Sequence, residues 1–410
     1  MTTPLPLSWC VSASAFQRCL RARCLRACAL LPLRDDDPPP YRQCRRLRIR
    51  FKIPFSRSFR TSLYHAPAGL QGGPGSSSLF GAFLEMGPYK IAANMTAVPN
   101  PFTWAQDNHM VFLDNPRGTG FSSANTLCTE WQCYGSDFDS FVRQFLQGYG
   151  LLANELFITG ESYGGKYVPA SAYTVQANNA AGVTPAVNLK GVAIGNGFVA
   201  PLEMAGGYAD IIFQAGLLSL PEYATAQSYV ANITRAIQQE DYLTAYSVWD
   251  AFLNGDSTPG GAWFTNVTGL TNYFNIAGET PPEYSYLYPW VNSAEVRAAL
   301  QIGSRPYLDG NLAVELALKS DVMFSQKPNL ESLLDAGVPI LLYNGALDLI
   351  CGAPLTERYT HLLQWGGNAG WNASPKTLWH DTALPGAISG YSRSFANLNH
   401  VIMRGAGHMA

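Results

Sequence analysis

Residues 156–164 read Leu156-Phe157-Ile158-Thr159-Gly160-Glu161-Ser162-Tyr163-Gly164. An apolar run ends at a glycine, and a serine stands two residues after that glycine and two before the next. The run is too short for a helix and carries β-branched and aromatic side chains, so it predicts a strand that turns sharply into a helix. In such a turn the small residues on either side relieve crowding, and the serine hydroxyl is pushed out at the sheet edge. Ser162 is therefore a candidate nucleophile. A bare G-x-S-x-G arises by chance, but the strand in front of this one gives it the setting its chemistry needs.

Outward from this stretch the same pattern repeats. Met110-Val111-Phe112-Leu113 runs into Asp114-Asn115-Pro116, and Val192-Ala193-Ile194 into Gly195-Asn196-Gly197. Pro339-Ile340-Leu341-Leu342-Tyr343 runs into Asn344-Gly345, and Val401-Ile402-Met403 into Gly405. Runs this short and apolar fit strands buried on both faces, which predicts an α/β fold with a mostly parallel central sheet and helices on both faces. Between 198 and 325 helical patterns dominate, at 223–239 and 294–301 for example. A helical block inserted between two strands of one sheet predicts a cap over the strand ends, where ligand sites of α/β folds lie. The expected organisation is a core from 67–197 and 326–410, a cap insertion at 198–325, and a separate segment at 1–66.

The 410 residues are 47% hydrophobic and 14% charged, which excludes disorder and collagen-like repeats. A net charge of −2 hides an asymmetry: residues 1–60 hold 13 of the 27 basic residues and only three acids, Asp35, Asp36 and Asp37. The head is thus +10 and the remainder −12. An acidic body lacks the basic stripe that phosphate backbones require, so nucleic acid is excluded as a partner. No stretch approaches 18 consecutive apolar residues, so no membrane span is expected. The head shows no period of 2 or 3.6, and Pro38-Pro39-Pro40 breaks any helix. Its Arg-rich, acid-free first 34 residues loosely resemble an organelle transit peptide and lack the apolar stretch of a signal peptide. Residues 1–66 read as non-globular or mispredicted. Cys10, Cys19, Cys24, Cys28 and Cys44 crowd the head without zinc-ribbon spacing downstream, so neither metal nor cofactor is expected.

A serine hydroxyl needs a base, and the base needs an orienting carboxylate. Asp348 follows the strand that ends at Asn344-Gly345, and His408 follows the last strand. His65 and His109 precede the serine, while His361, His380 and His400 fall in helical, loop or strand-start contexts. Gln71-Gly72-Gly73-Pro74-Gly75-Ser76-Ser77-Ser78 offers accessible backbone N–H groups, so Gly73 and Tyr163 are the candidate oxyanion donors. The loop lacks the Lys-Ser/Thr pair of a phosphate-binding loop.

These motifs, with Glu85-Met86-Gly87-Pro88, Asp114-Asn115-Pro116-Arg117-Gly118-Thr119-Gly120-Phe121-Ser122, Gly164-Gly165-Lys166-Tyr167-Val168-Pro169 and Gly405-Ala406-Gly407-His408-Met409, make the chain resemble the serine carboxypeptidases over about residues 69–410. Gly206-Gly207-Tyr208, Gly216-Leu217-Leu218 and Phe264-Thr265-Asn266-Val267-Thr268 are most similar to the vitellogenic-like branch. The resemblance implies an α/β-hydrolase that removes C-terminal residues from peptides through an acyl-enzyme at acidic pH, with Ser162, Asp348 and His408 as triad. It also implies that Gln71, Gly72, Glu85 and Glu161 hold the substrate's terminal carboxylate. Two alternatives share these motifs: an acyltransferase using an alcohol in place of water, and an inactive product that acts only by binding.

The chain departs from the family pattern in places. Gly69 stands where the family has Trp, in a Tyr64-His65-Ala66-Pro67-Ala68-Gly69-Leu70 stretch without strand character. Gln71 replaces an Asn and Ser76 a Cys. Ala410 follows His408 by two residues where the family continues into a helix. The resemblance therefore predicts that leading strands of the sheet are missing and that His408 lies on a poorly supported segment. It further implies a secreted or lysosomal/vacuolar protein, in which Asn94, Asn232, Asn266 and Asn372 are candidate glycosylation sites and Cys128 and Cys133 candidates for a local disulfide.

Overall fold

A computed structural model describes residues 9–10, 66–106, 108–380 and 386–409. The reading of the rest of the head lies outside the described residues. Eleven strands occur among them: β1 (Trp9–Cys10), β2 (Ala66–Leu70), β3 (Tyr89–Ile91), β4 (Ala97–Pro99), β5 (Val111–Phe112), β6 (Leu156–Glu161), β7 (Leu189–Gly195), β8 (Ile340–Gly345), β9 (Thr377–Trp379), β10 (Gly390–Phe395) and β11 (Leu398–Met403). Nine form one sheet in the order β1-β5-β2-β6-β7-β8-β11-β10-β9, while β3 and β4 make a small hairpin. From β1 to β11 every neighbour is parallel; β10 alone runs the other way, pairing antiparallel with both β11 and β9.

The apolar runs fall on β5, β6, β7, β8 and β11 as their composition predicts. Two expectations are corrected. Ala66–Leu70, which lacks strand character by composition, pairs with both β5 and β6 near the middle of the sheet. Gly69 opens room there: a Cβ on it would lie 3.3 Å from the ring of Phe112, which fills the space. Residues 9–10, assigned by sequence to a head outside the fold, extend the sheet edge beside β5.

Helices Trp131–Tyr149 and Gly164–Ala180 pack on each other, and the second leaves the end of β6 directly. Between β7 and β8 the chain is helical, including Leu220–Gln238, Tyr242–Trp249 and Leu312–Ala317. These three helices share the main core: Ile233, Tyr246 and Val314 belong to the same buried cluster as Ile158, Ile194 and Leu342, whereas Leu287, Trp290 and Val291 from the same insertion join a second cluster with Phe83 and Phe112. Cys128 and Cys133 are joined in a disulfide. No described helix is long and apolar enough to cross a membrane.

Candidate active site

Adjacent parallel strands deliver their carboxyl ends to one edge, and the candidate residues all emerge there. Gln71–Gly73 follows β2, Ser162 follows β6, Asp348 follows β8 and His408 follows β11. Motifs more than 330 residues apart thus meet because β2, β6, β7, β8 and β11 are consecutive in the sheet.

Ser162 has left-handed backbone, φ 61°, a conformation that costs a non-glycine residue about 1–2 kcal/mol. Its backbone is held on both sides. The Ser162 N–H donates to Gly195 O at 3.1 Å, and its carbonyl accepts from Gly165 N at 2.9 Å and Phe198 N at 2.8 Å. The flanking glycines are sterically required: a Cβ on Gly160 would stand 2.8 Å from Val168 Cγ2, and one on Gly164 3.1 Å from Leu70 O.

His408 is 2% exposed, and its Nδ1 lies 2.8 Å from Asp348 Oδ2. A carboxylate only accepts, so Nδ1 carries the proton and Nε2 is left with a free lone pair. That Nε2 is buried and has no hydrogen-bond partner among the described residues. The Asp348 carboxylate also accepts from Asn196 Nδ2 at 2.7 Å, Ile350 N at 3.0 Å and Cys351 N at 3.2 Å. The expectation of a poorly supported His408 is corrected. Its N–H donates to Phe274 O at 2.7 Å and its ring packs 4.9 Å from that of Phe274, so a segment crossing from the helical insertion straps it down.

The Gly72–Gly73 loop folds against the serine turn. Gln71 N–H donates to Ser78 Oγ at 3.0 Å, and Ser77 Oγ and Ser78 N–H both donate to the buried Asp114. Gly73 has φ 108°, open to glycine, and among the described residues neither its N–H nor that of Tyr163 has an acceptor. The Tyr163 side chain is anchored away from the site, donating to Asp321 Oδ2 at 2.6 Å.

Glu161, the last residue of β6, accepts from Gln71 Nε2 at 3.3 Å. Both oxygens of Glu85 are buried without a well-formed hydrogen bond among the described residues. Burial pushes the Glu85 carboxyl up to about 7, against the pull of His408 and Gln71. Glu161 is also held well above the ordinary carboxyl range, by burial first and then by the charges of Glu85 and Asp348. The two glutamates, which sequence alone could place as solvated surface charges, therefore form a buried, proton-holding pair beside the serine turn.

A family model described as serine carboxypeptidase matches residues 69–410. The chain belongs to the serine carboxypeptidase family. Among relatives, the probable serine carboxypeptidase CPVL of Mus musculus is 37% identical, the match covering 83% of this chain and 72% of that one. The venom serine carboxypeptidase of Apis mellifera is 35% identical over 83% of this chain and 73% of its own, and the vitellogenic carboxypeptidase of Aedes aegypti 32% over 83% and 72%. The crystal structure of a prohormone-processing carboxypeptidase from Saccharomyces cerevisiae superposes with a TM-score of 0.74 at 21% identity, covering 85% of this chain and 80% of that one. The chain is a serine-type carboxypeptidase with the α/β-hydrolase fold, and its substrates are peptides.

Three residues around this carboxypeptidase's site were not singled out from the sequence. Asn196 lies in a Gly-Asn-Gly that reads as turn punctuation, and Phe274 and Tyr284 sit in the helical insertion without any local motif. Tyr284 stands near the carboxyl pair, its phenol raised by burial and by Glu85 and Glu161. Gly72 is the tightest point: a Cβ there would lie 2.5 Å from Tyr163 N and 2.7 Å from both Glu161 O and Ser162 Cβ. Gly72→Ala must push the loop off the serine turn. We expect activity to fall at least a hundredfold and unfolding free energy by roughly 1–3 kcal/mol, read by turnover and by denaturant titration. Full activity in the alanine variant would mean that the two loops do not pack this closely.

Proposed function

We propose that the enzyme releases single residues from the free C-terminus of peptides through an acyl-enzyme. Ser162 is the nucleophile, His408 the general base and then acid, and Asp348 the group that fixes the His408 tautomer. The observation that carries this reading is the 2.8 Å contact of His408 Nδ1 with Asp348 Oδ2, which leaves Nε2 basic on the sheet edge where Ser162 emerges. Ser162 Oγ attacks the carbonyl carbon of the last peptide bond while Nε2 takes its proton. The oxyanion that forms accepts from Gly73 N–H and Tyr163 N–H. Collapse breaks the C–N bond, and the leaving amine takes the proton from Nε2. Water then attacks the ester, giving its proton to Nε2, which returns one to Ser162 Oγ as the acid product leaves.

The leaving residue's own carboxylate is held by Gln71 Nε2, Gly72 N–H and the Glu85–Glu161 pair. A protonated glutamate donates a hydrogen bond to that carboxylate, whereas an ionised one repels it, so the pair favours work at acidic pH. It also favours peptide hydrolysis over transfer to an alcohol, because an ester or alcohol substrate has no charge for it to read. An N-blocked dipeptide with a free C-terminus should be cleaved to one amino acid, and added amino-acid amide should divert part of the acyl group to a new peptide at the expense of hydrolysis. Cleavage whose product ratio ignores the added amine would count against an acyl-enzyme open to nucleophiles.

An acidic vesicle or the cell exterior suits these features, together with the Cys128–Cys133 disulfide. Asn94, Asn232 and Asn266 are exposed, and Asn94 already accepts from Thr96 N and Oγ1. Asn266 Nδ2 makes one bond, to the exposed Gly260 O at 3.2 Å, whereas Asn372 is half-buried, its Nδ2 donates to both His361 O at 3.0 Å and Asn368 Oδ1 at 3.2 Å, and its Oδ1 is buried. A glycan on that nitrogen would prevent the segment from packing. Protein secreted from eukaryotic cells should carry glycans at up to three positions, with Asn372→Gln leaving its gel mobility unchanged; a mobility increase in that variant would place a glycan at Asn372.

A further inference from the structure

The geometry points to Asn196 as a positioning residue that couples the nucleophile turn to the Asp348 carboxylate and so sets the orientation and basicity of His408. The inference rests on the triad reading above. Asn196 follows β7, the strand between those that present Ser162 and Asp348. It is fully buried and adopts φ 39°, a left-handed conformation that Asn tolerates better than most residues. Its carboxamide is used at both ends. Nδ2 donates to Asp348 Oδ2 at 2.7 Å, the same oxygen that His408 Nδ1 approaches, and Oδ1 accepts from Gly345 N at 2.9 Å. Its own N–H donates to Tyr343 O at 2.8 Å, closing the link to β8.

The residues on either side hold the serine: Gly195 O accepts from Ser162 N, and Phe198 N donates to Ser162 O. One four-residue turn therefore grips the nucleophile's backbone with its ends and the acid's carboxylate with its side chain. Three donors converge on Asp348 Oδ2: His408 Nδ1, Asn196 Nδ2 and the Cys351 N–H. Asn196 gives the shorter of the two contacts that do not come from the base, so its removal leaves the carboxylate held, apart from the base, only by the Ile350 and Cys351 backbone and the imidazole less well aligned. Hydrogen bonds to ionised groups are among the stronger ones, and partners that orient a functional ligand commonly matter ten- to a hundredfold. The ionisable groups facing Asp348 are His408 from the β11 exit, Glu161 from β6, Cys351 from the same loop and Tyr208 from the helix Tyr208–Gln214.

Two variants of the full chain test this. Asn196→Gly keeps the left-handed backbone available and deletes the side chain, with its bonds to Asp348 and Gly345. We expect kcat to fall about ten- to a hundredfold with KM unchanged, since nothing that touches the substrate's terminal carboxylate is altered. Asn196→Asp is nearly isosteric. With one proton between the two carboxyls it can donate to Asp348 and accept from Gly345 N, so kcat should stay close to that of the wild type at low pH. As rising pH removes that proton the facing charges should repel, and kcat should drop while the wild-type value still climbs.

A kcat of Asn196→Gly equal to wild type would overturn the proposal. So would an Asn196→Asp profile that runs parallel to the wild-type one, because a merely structural asparagine would give a pH-independent loss. Ser162→Ala in the same assay keeps the two readings apart. If it is inactive while Asn196→Gly is normal, the triad stands and Asn196 falls; if it is active, the triad itself is wrong.

Discussion

Ser162→Ala should lose on the order of 10⁴- to 10⁶-fold in kcat/KM toward an N-blocked dipeptide and should no longer be labelled by a serine-directed phosphonate. The substitution removes one oxygen from a turn whose geometry is fixed by backbone hydrogen bonds to Gly195, Gly165 and Phe198, so the fold should survive. His408→Ala should be about as severe, because triad members act as a unit, but it should also cost stability. The buried ring packs on Phe274, and its loss leaves Asp348 Oδ2 with only Asn196 and Cys351 as donors. Asp348→Asn should approach a 10⁴-fold loss for a different reason: its amide would donate toward Nδ1 and drive the proton onto Nε2, the atom that must accept from Ser162. Undiminished phosphonate labelling of Ser162→Ala would remove Ser162 from the mechanism.

What the sequence reveals and what it hides follow from burial. β5 and β6 are buried or nearly so along their length, and β7 and β8 are mostly buried with only Lys190 and Leu341 exposed, so all four read as short apolar runs, which is why the strand before Ser162 and the strand before Asp348 can be recognised. β9 is exposed along its length and β10 mixes buried and exposed residues, so neither carries a signal of its own. β2 is hidden for the opposite reason. Its Ala-Pro-Ala-Gly-Leu is buried in the part described, but the volume a strand residue would normally fill comes from Phe112 on the neighbouring strand.

The site divides in the same way. Ser162 and the Gly72–Gly73 loop are legible because their chemistry needs small residues at fixed spacing around the functional atom. Asp348 and His408 are legible only through chain order after strands. Asn196 and Phe274 have no local signature, because their roles arise from contacts with residues more than 130 positions away. The support they give His408 is what the sequence could not foresee.

The second large effect concerns pH. Glu85 is raised from 4.5 to about 7 by burial, and burial and the neighbouring carboxylates hold Glu161 well above the ordinary carboxyl range too, so below about pH 7 Glu85 keeps its proton. As pH rises through that value Glu85 ionises, and a peptide carboxylate then meets a negative charge in a buried site. KM for a peptide with a free C-terminus should climb roughly tenfold per pH unit above 7, whereas the matched C-terminal amide, which lacks the charge, should keep its KM. The triad makes the opposite demand, since His408 must be neutral to accept the Ser162 proton, so kcat rises with pH for both substrates. The same pair biases stability. A carboxyl whose folded pKa exceeds its unfolded value contributes stability that is complete below about 4.5 and is lost as pH rises through about 7. Tm should therefore decline over that window, and Glu85→Gln should flatten the decline while removing the rise in KM. If acid and amide substrates show parallel KM profiles, the carboxyl pair does not read the C-terminus. If Glu85→Gln flattens the Tm profile but leaves the acid substrate's KM climbing, the titrating group that repels the substrate is Glu161 or lies outside the pair.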